Sequence, residues 1–173
     1  MRELETNRLY LRRVSINDAQ EMYKNWANSE NVTRFLEWSP HRSVEDTKAF
    51  LSYILPQYEQ DDCFRWGIVR KSDNVLMGMI DVVRFRNGCP EIGYSSGEMF
   101  WGNGYMTEAC KAVINELFSF GYNTIFISAV KENIGSNRVI QKSGFKFAES
   151  KERSLSDIKP VTVTMNYYRI DKE

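Results

Sequence analysis

The sequence predicts an α+β fold: a mixed, mostly antiparallel central sheet of about seven strands, with one parallel step and helices on both faces. Three observations carry this. Residues 64–95 read as three short strands separated by turn signals, an antiparallel meander. Residues 91–130 then run strand, helix, strand, which is one βαβ unit and demands a parallel pair. Two further strands close the chain after a short helix. At 173 residues the chain is read as one domain, residues 1–173.

The elements follow in order. Residues 8–14 (RLYLRRV) alternate, with Leu9 and Leu11 on one face, and form the first strand. Ser15, three residues before Asp18, opens a helix whose stripe is Ile16, Ala19, Tyr23 and Trp26. Ser43 with Asp46 opens a second, longer helix, striped by Phe50, Ile54 and Tyr58 and ending at Gln60–Asp62. Phe64, Trp66 and Ile68 alternate as a strand. Residues 75–85 form the next, and Asn87-Gly88 is the strongest hairpin signal in the chain. Glu91 to Tyr94 begins the third strand. Met106, Ala109, Val113, Leu117 and Phe120 recur at helical spacing, backed by a second stripe of Cys110, Ile114 and Phe118, so this helix is covered on more than one side. Gly121 is its C-cap. Residues 124–130 (TIFISAV) are the continuous β-rich run of a buried parallel strand. A helix over 134–142 is closed by Gly144, and strands at 145–153 and 160–169 finish the sheet.

Composition narrows the function. Hydrophobic residues make up 42% and charged residues 27%, which is enough apolar material for a packed core. Lys plus Arg and Asp plus Glu are both 23, so the net charge is zero and a dedicated nucleic-acid partner is not expected. Cys63, Cys89 and Cys110 have no CxxC spacing, and with His41 as the one histidine they make no zinc site. They read as small buried hydrophobes in a reducing, cytoplasmic setting. The stretch 112–130 is interrupted by Asn115, Glu116, Gly121 and Asn123, well short of the ~20 apolar residues of a membrane span. No signal peptide is read at the N-terminus.

Chemistry concentrates in two segments. Trp101-Gly-Asn-Gly-Tyr-Met-Thr107 joins a strand to a helix. The first turn of a helix leaves about four N–H groups without internal partners and carries roughly half a positive charge. Gly102 and Gly104 let the backbone bend and approach a ligand, so the turn can cradle a phosphate or pyrophosphate. It is not a Walker A loop, since no Lys follows either glycine, and it is not a Rossmann fingerprint, since Thr107 stands where the last glycine would. The plain alternative is a tight strand-to-helix turn. The second segment, Lys131 to Phe145, follows the second parallel strand, so Asn133 and Ser136 lie at the same carboxyl end of the sheet. Each could bind a ligand or cap the next helix.

Taken together, Glu91-Ile-Gly-Tyr94, Trp101-Gly-Asn-Gly-Tyr-Met-Thr-Glu-Ala109, Asn133-Ile-Gly-Ser136 and Lys142-Ser-Gly-Phe145 resemble the GNAT superfamily of acyl-CoA-dependent N-acyltransferases. The opening Glu5-Thr-Asn-Arg-Leu-Tyr-Leu-Arg12 is similar to the start of its RimJ/RimL-like branch, the ribosomal-protein N-terminal acetyltransferases. The resemblance covers nearly the whole chain, with the motifs in order. It implies acetyl-CoA as donor, no metal, and an amine acceptor, either a protein N-terminus or a small molecule. It implies that the backbone of Gly102, Asn103, Gly104, Tyr105, Met106 and Thr107, with Trp101 beside it, holds the CoA pyrophosphate. It implies that Tyr94, Ser95, Ser96 and Gly97 splay from the parallel neighbour so that pantetheine hydrogen-bonds in the gap, with Asn133 on the pantetheine arm. The chain departs twice. Met99 stands where the family often has Gln or Arg, and Ile140 stands where many members carry a Tyr that protonates the leaving thiolate. In the RimJ/RimL-like branch a Ser matching Ser136 is the candidate for that role.

Direct attack by an amine needs a base, a stabilised oxyanion and a departing thiolate. Glu91, at the strand beside the thioester, is the base expected here; the alternative is a strand-end surface carboxylate. A backbone N–H near Tyr94 serves the oxyanion. A thiol pKa of about 8.5 makes thiolate a fair leaving group, so Ser136 either acts as acid or only hydrogen-bonds the sulfur. The acidic Glu59, Asp61 and Asp62 could draw a cationic amine, and Trp38 could line the acceptor site. The rival reading is a CoA-binding sensor without turnover. Monomer and homodimer are both open, with 160–169 as a candidate edge strand for pairing.

Overall fold

The computed structural model describes all 173 residues. Eight strands form one sheet: β1 Leu4–Glu5, β2 Leu9–Arg12, β3 Arg65–Arg70, β4 Val75–Arg86, β5 Cys89–Ser96, β6 Thr124–Val130, β7 Lys146–Ser154 and β8 Thr162–Asp171. Their order across the sheet is β1-β2-β3-β4-β5-β6-β8-β7. All pairs are antiparallel except β5 with β6, so the expected meander and the single parallel step are both present. The extra strand, β1, is two residues long and pairs Leu4 with Leu11. It is too short to leave a periodic signal. The edge strand expected at 160–169 is not an edge. β8 lies between β6 and β7, bonding Met165 to both Val130 and Lys151, and β7 takes the edge. A hairpin that folds its second strand inward buries Tyr168 and leaves nearly all of β7 exposed, a choice the local pattern does not reveal.

Five α-helices flank the sheet: α1 Ala19–Met22, α2 Glu30–Thr33, α3 Val44–Ile54, α4 Tyr105–Phe120 and α5 Ile134–Lys142. The expected first helix has three windings, a 3₁₀ turn at Ile16–Asp18, α1, and a π-turn at Tyr23–Ala27. The π-turn places Asn25 against the sheet, where its Nδ2 donates to the Leu76 carbonyl at 2.7 Å. The expected longer helix also changes winding, because Pro56 has no N–H to continue it; α3 passes into a 3₁₀ turn over Leu55–Glu59. Asn87 and Gly88, at φ +51° and +77°, make the two-residue turn that joins β4 to β5.

Each face of the sheet has its own core. On one, Ile92, Ile125 and Ile127 pack with Ala109, Val113 and Leu117 of α4 and with Ile140 of α5. On the other, Trp26, Leu51 and Ile54 pack under Val69 and Leu76. Ordinary strand alternation sends Ile68 and Val69 of β3 into opposite cores, and the register shift beside them falls on β4, where Met77 is the extra residue. Cys63 and Cys110 are buried as expected, and burial pushes the Cys110 thiol up to about 12; Cys89, at the start of β5, is only half-buried. His41 fixes a loop: its Nδ1 lies 2.8 Å from the Thr47 hydroxyl, its N–H donates to the Ala27 carbonyl, and burial lowers its pKa.

The start of the first helix carries a pH-dependent contribution. Burial works against the charge on Asp18, but two hydrogen bonds from Arg12 (2.8 and 2.9 Å) and one from the Ser15 N–H (2.7 Å) hold its carboxyl below the ordinary range. A carboxylate depressed on folding adds stability that is full above the unfolded value of ~3.9 and is lost as pH falls through the folded value. Asp18→Asn is therefore expected to cost about 1–3 kcal/mol at pH 7. The deficit should shrink as urea titrations move from pH 5 toward pH 2; a pH-independent deficit would rule out the charge as its source.

Candidate active site

The ladder between β5 and β6 is two residue pairs long, Glu91↔Phe126 and Ile92↔Ile127. Both strands run on, to Ser96 and to Val130, without pairing again. β5 instead stays with β4, where Ser95 and Ser96 face Met79 and Gly78. Gly78 permits this: a Cβ there would stand 2.2 Å from the Ser95 carbonyl oxygen. On the far side, Gly97 brings the chain against the π-turn, where a Cβ would stand 2.2 Å from the Asn25 carbonyl oxygen. The result is a wedge between β5 and β6, bounded by Gly93–Ser96 and Ser128–Val130.

The chain leaves the wedge through a 3₁₀ turn at Glu98–Phe100 and enters the glycine turn. Gly102 and Gly104 have φ of +76° and +77°, a conformation that only glycine adopts freely. No protein group accepts from the N–H groups of Gly102, Asn103, Gly104, Tyr105, Met106 and Thr107; the first N–H beyond them with a backbone partner is that of Glu108, to Gly104. A Cβ on Gly102 would meet nothing within 4 Å, so the turn faces open space. Asn103 and Trp101 turn inward on the loop: Asn103 Nδ2 donates to the Trp101 carbonyl at 2.9 Å, and Trp101 Nε1 donates to the Ser96 carbonyl at 3.0 Å. They shape the turn and leave its amides free. Met99 is exposed and offers no donor.

Across the wedge, Asn133 is the N-cap of α5, its Oδ1 accepting from the Ser136 N–H at 3.1 Å. The Ser136 hydroxyl lies 2.8 Å from the Tyr94 hydroxyl, joining β5 to α5 over the gap. Burial raises the Tyr94 pKa well above 10, so the phenol keeps its proton. Glu91 is on the opposite face of β5. It is only 2% exposed, inside a strand that starts at Cys89, so it is not a strand-end surface carboxylate. Its Oε2 accepts from Arg86 and its Oε1 from the Ser128 hydroxyl, both at 2.8 Å. The Arg86 guanidinium lies over the rings of Phe126 and Tyr167.

Sequence reasoning missed Arg86, Ser128 and Asn137. Arg86 was legible in principle, because a two-residue turn at Asn87-Gly88 sets Arg86 opposite Cys89 and Arg84 opposite Glu91. Ser128 and Asn137 carried no local signal. Asn137 is buried and fully engaged: its Nδ2 donates to the Val130 and Asn133 carbonyls, and its Oδ1 accepts from Tyr168 and Asn166. It ties the end of β6 to the start of α5. The acidic Glu59, Asp61 and Asp62 are exposed, and Asp62 lies near Tyr122, just past the C-terminal end of α4 and away from the glycine turn.

The side of the wedge that Glu91 faces is bridged. Glu37, between α2 and α3, accepts from Arg84 (3.0 Å) and Arg153 (2.7 Å), while Ser156 donates to the Glu37 carbonyl and Lys159 to that of Thr33. Trp38, expected to line an acceptor site, is half-buried next to this bridge, its ring 5.6 Å from His41. No group of three His, Cys, Asp or Glu side chains is placed to hold a metal. No helix is long and apolar enough to cross a membrane.

Comparison with known proteins agrees with this geometry. Residues 8–146 match the model of the acetyltransferase (GNAT) domain. The uncharacterized N-acetyltransferase YoaA of Bacillus subtilis is 30% identical over 150 residues, covering 83% of this chain and 82% of its own. Among solved structures, a putative ribosomal-protein-serine acetyltransferase from Vibrio cholerae superposes with a TM-score of 0.85 at 20% identity, over 98% of this chain and 97% of its own. The microcin C7 self-immunity acetyltransferase MccE, in complex with acetyl-CoA and AMP, superposes at 0.84 and 20%, over 96% and 94%. With its parallel step, its wedge and its free-amide turn in the family's order, this chain belongs to the GNAT family of acetyl-CoA-dependent acetyltransferases.

Proposed function

We propose that this protein transfers the acetyl group of acetyl-CoA to a primary amine, the N-terminus of a protein or a small-molecule amine, by direct attack on the thioester. The observation that carries the reading is the run of six amides without acceptors, Gly102–Thr107, opening from the same strand that abandons its parallel partner after Ile92. Those amides and the positive end of α4 suit a pyrophosphate. The unpaired edges of Gly93–Ser96 and Ser128–Val130 suit the amides of a pantetheine arm. The side-chain NH₂ of Asn133, which has no partner in the protein, supports reading it as a further donor to that arm. Acetyl-CoA supplies an activated acyl group when bound in this wedge.

The two faces of β5 divide the remaining work. Glu91 is the base. Ser128 relays the proton: its hydroxyl oxygen accepts from an incoming ammonium or water and passes its own proton to the Glu91 carboxylate. Arg86 keeps the carboxylate in place. A backbone N–H of the splayed strand at Gly93–Tyr94 stabilises charge on the carbonyl oxygen. On the opposite face, Ser136, oriented by the protonated Tyr94, donates a hydrogen bond to the departing sulfur. A thiolate with a parent pKa of about 8.5 leaves without full protonation. Ser136→Ala is accordingly expected to lower kcat by only about tenfold or less, with acetyl-CoA affinity little changed. A loss of a thousandfold would instead make Ser136 an obligatory acid.

The sheet runs from Leu4 to Asp171 without a break, which supports reading residues 1–173 as one domain. Three unpaired thiols and a metabolite donor suit the cytoplasm. If the protein pairs into a homodimer through a sheet edge, β7 is the strand available for it. Calorimetric titration with acetyl-CoA, followed by thiol release in the presence of N-terminal peptides and of small amines, tests the reading and separates the two acceptor classes. Absence of binding at several hundred micromolar would overturn it.

A further inference from the structure

The glycine turn has a neighbour from the other end of the sequence. Glu108, in the first turn of α4, accepts from the Arg8 N–H (2.9 Å) and the Thr6 hydroxyl (2.7 Å) with one oxygen, and from Arg8 Nε (2.7 Å) with the other. The connection between β1 and β2 is thereby fastened to α4. The guanidinium is held over the Tyr105 ring, 4.5 Å from its centroid, and Nη1 donates to the Asn103 carbonyl at 3.0 Å. Nη2 has no partner, and it lies 3.6 Å from the point where a Cβ on Gly104 would stand. A guanidinium fixed through Nε, with its outer N–H groups beside six unpaired amides, is built to receive an oxyanion.

We infer that Arg8 is a ligand of the CoA pyrophosphate, supplying the side-chain cation that the exposed Met99 does not. The inference rests on Gly102–Thr107 being the pyrophosphate cradle. Arg8 adds to the cradle what backbone amides lack, a full charge and a planar two-donor edge. Glu108 is a positioning residue for it, and the Tyr105 ring supports its face.

Calorimetry with CoA, dephospho-CoA and S-acetylpantetheine separates the possibilities. Arg8→Met is expected to weaken CoA and dephospho-CoA alike, by about 10–100-fold, as for loss of a charge-assisted hydrogen bond. Transfer from S-acetylpantetheine, which carries no phosphate, should proceed at the wild-type rate, a result that a globally misfolded variant would not give. Arg8→Lys keeps a charge for Glu108 but loses the two-donor edge, and should weaken CoA by about threefold or more; it serves if Arg8→Met fails to fold. Wild-type CoA affinity in both variants, or in Arg8→Lys alone if the Met variant does not fold, overturns the role of Arg8 and leaves the cradle standing. Weakened CoA with unchanged dephospho-CoA overturns the pyrophosphate assignment in favour of the 3′-phosphate. Equal losses for S-acetylpantetheine overturn phosphate contact altogether. Failure of the wild-type protein to bind CoA overturns the cradle itself.

Discussion

Glu91→Gln is expected to lower kcat by about 10²–10⁴-fold while acetyl-CoA binding is retained. The amide is isosteric: its oxygen still accepts from Arg86, and its NH₂ donates to the Ser128 hydroxyl, which turns to accept, so the fold and the wedge persist. What it cannot do is take a proton. An ammonium has no lone pair, so without a base the enzyme depends on the fraction of amine already neutral in solution. The residual rate of the variant should therefore rise about tenfold per pH unit, up to the pKa of the amine, near 8 for an N-terminus and near 10 for an alkyl amine. The pH at which that rise stops also reports which acceptor class is used. Pre-steady-state thiol release across pH 6–10 checks it. An undiminished rate at neutral pH would remove Glu91 as base without removing the enzyme.

Gly97→Ala, one of two methyl additions near the site (with Gly78→Ala) that would press on a backbone oxygen, is expected to lower stability sharply. Its Cβ would stand 2.2 Å from the Asn25 carbonyl oxygen and 3.2 Å from the Phe100 ring. The nearer neighbour is backbone, held by the Asn25 side chain on the Leu76 carbonyl, so it cannot swing aside. Overpacking of this kind costs about 1–3 kcal/mol, and the rigid partner puts this position at the upper end. For a chain of this length that corresponds to a fall in Tm of roughly 5–10 °C. Acetyl-CoA affinity should fall too, because Gly97 connects the wedge to the glycine turn. Thermal melts and calorimetry measure the two effects. Wild-type stability would mean that the π-turn at Tyr23–Ala27 relaxes away from the sheet.

The turn chemistry and the periodicity of the chain were sufficient for most of the architecture. Asn87-Gly88 announces a hairpin because both residues tolerate positive φ, and the register that follows sets Arg86, Arg84 and Glu91 side by side. The stripes of α4 and the β-rich run of β6 announce a crossover, which demands a parallel pair. Gly102 and Gly104 likewise point to free amides at a helix start, because a positive φ there is a local property of the residue.

The rest was decided between segments distant in sequence. A two-residue β1 forms because β2 is beside it and Trp66 Nε1 donates to the Arg2 carbonyl. β8 sits inside β7 because Tyr168 finds a buried place, hydrogen-bonded to Asn137, that no stretch of alternating residues encodes. The same holds for the site. Residue types, spacing and the family resemblance nominated Glu91, Ser136 and the glycine turn as candidates, since backbone flexibility and side-chain chemistry are written locally. Whether Glu91 is surface or core, which hydroxyl touches it, and which arginine lies against the glycine turn depend on contacts between residues up to 100 positions apart. Such contacts arise only when the whole sheet assembles and the two cores close, which is why Ser128 and Arg8 were silent in the sequence and decisive in the fold.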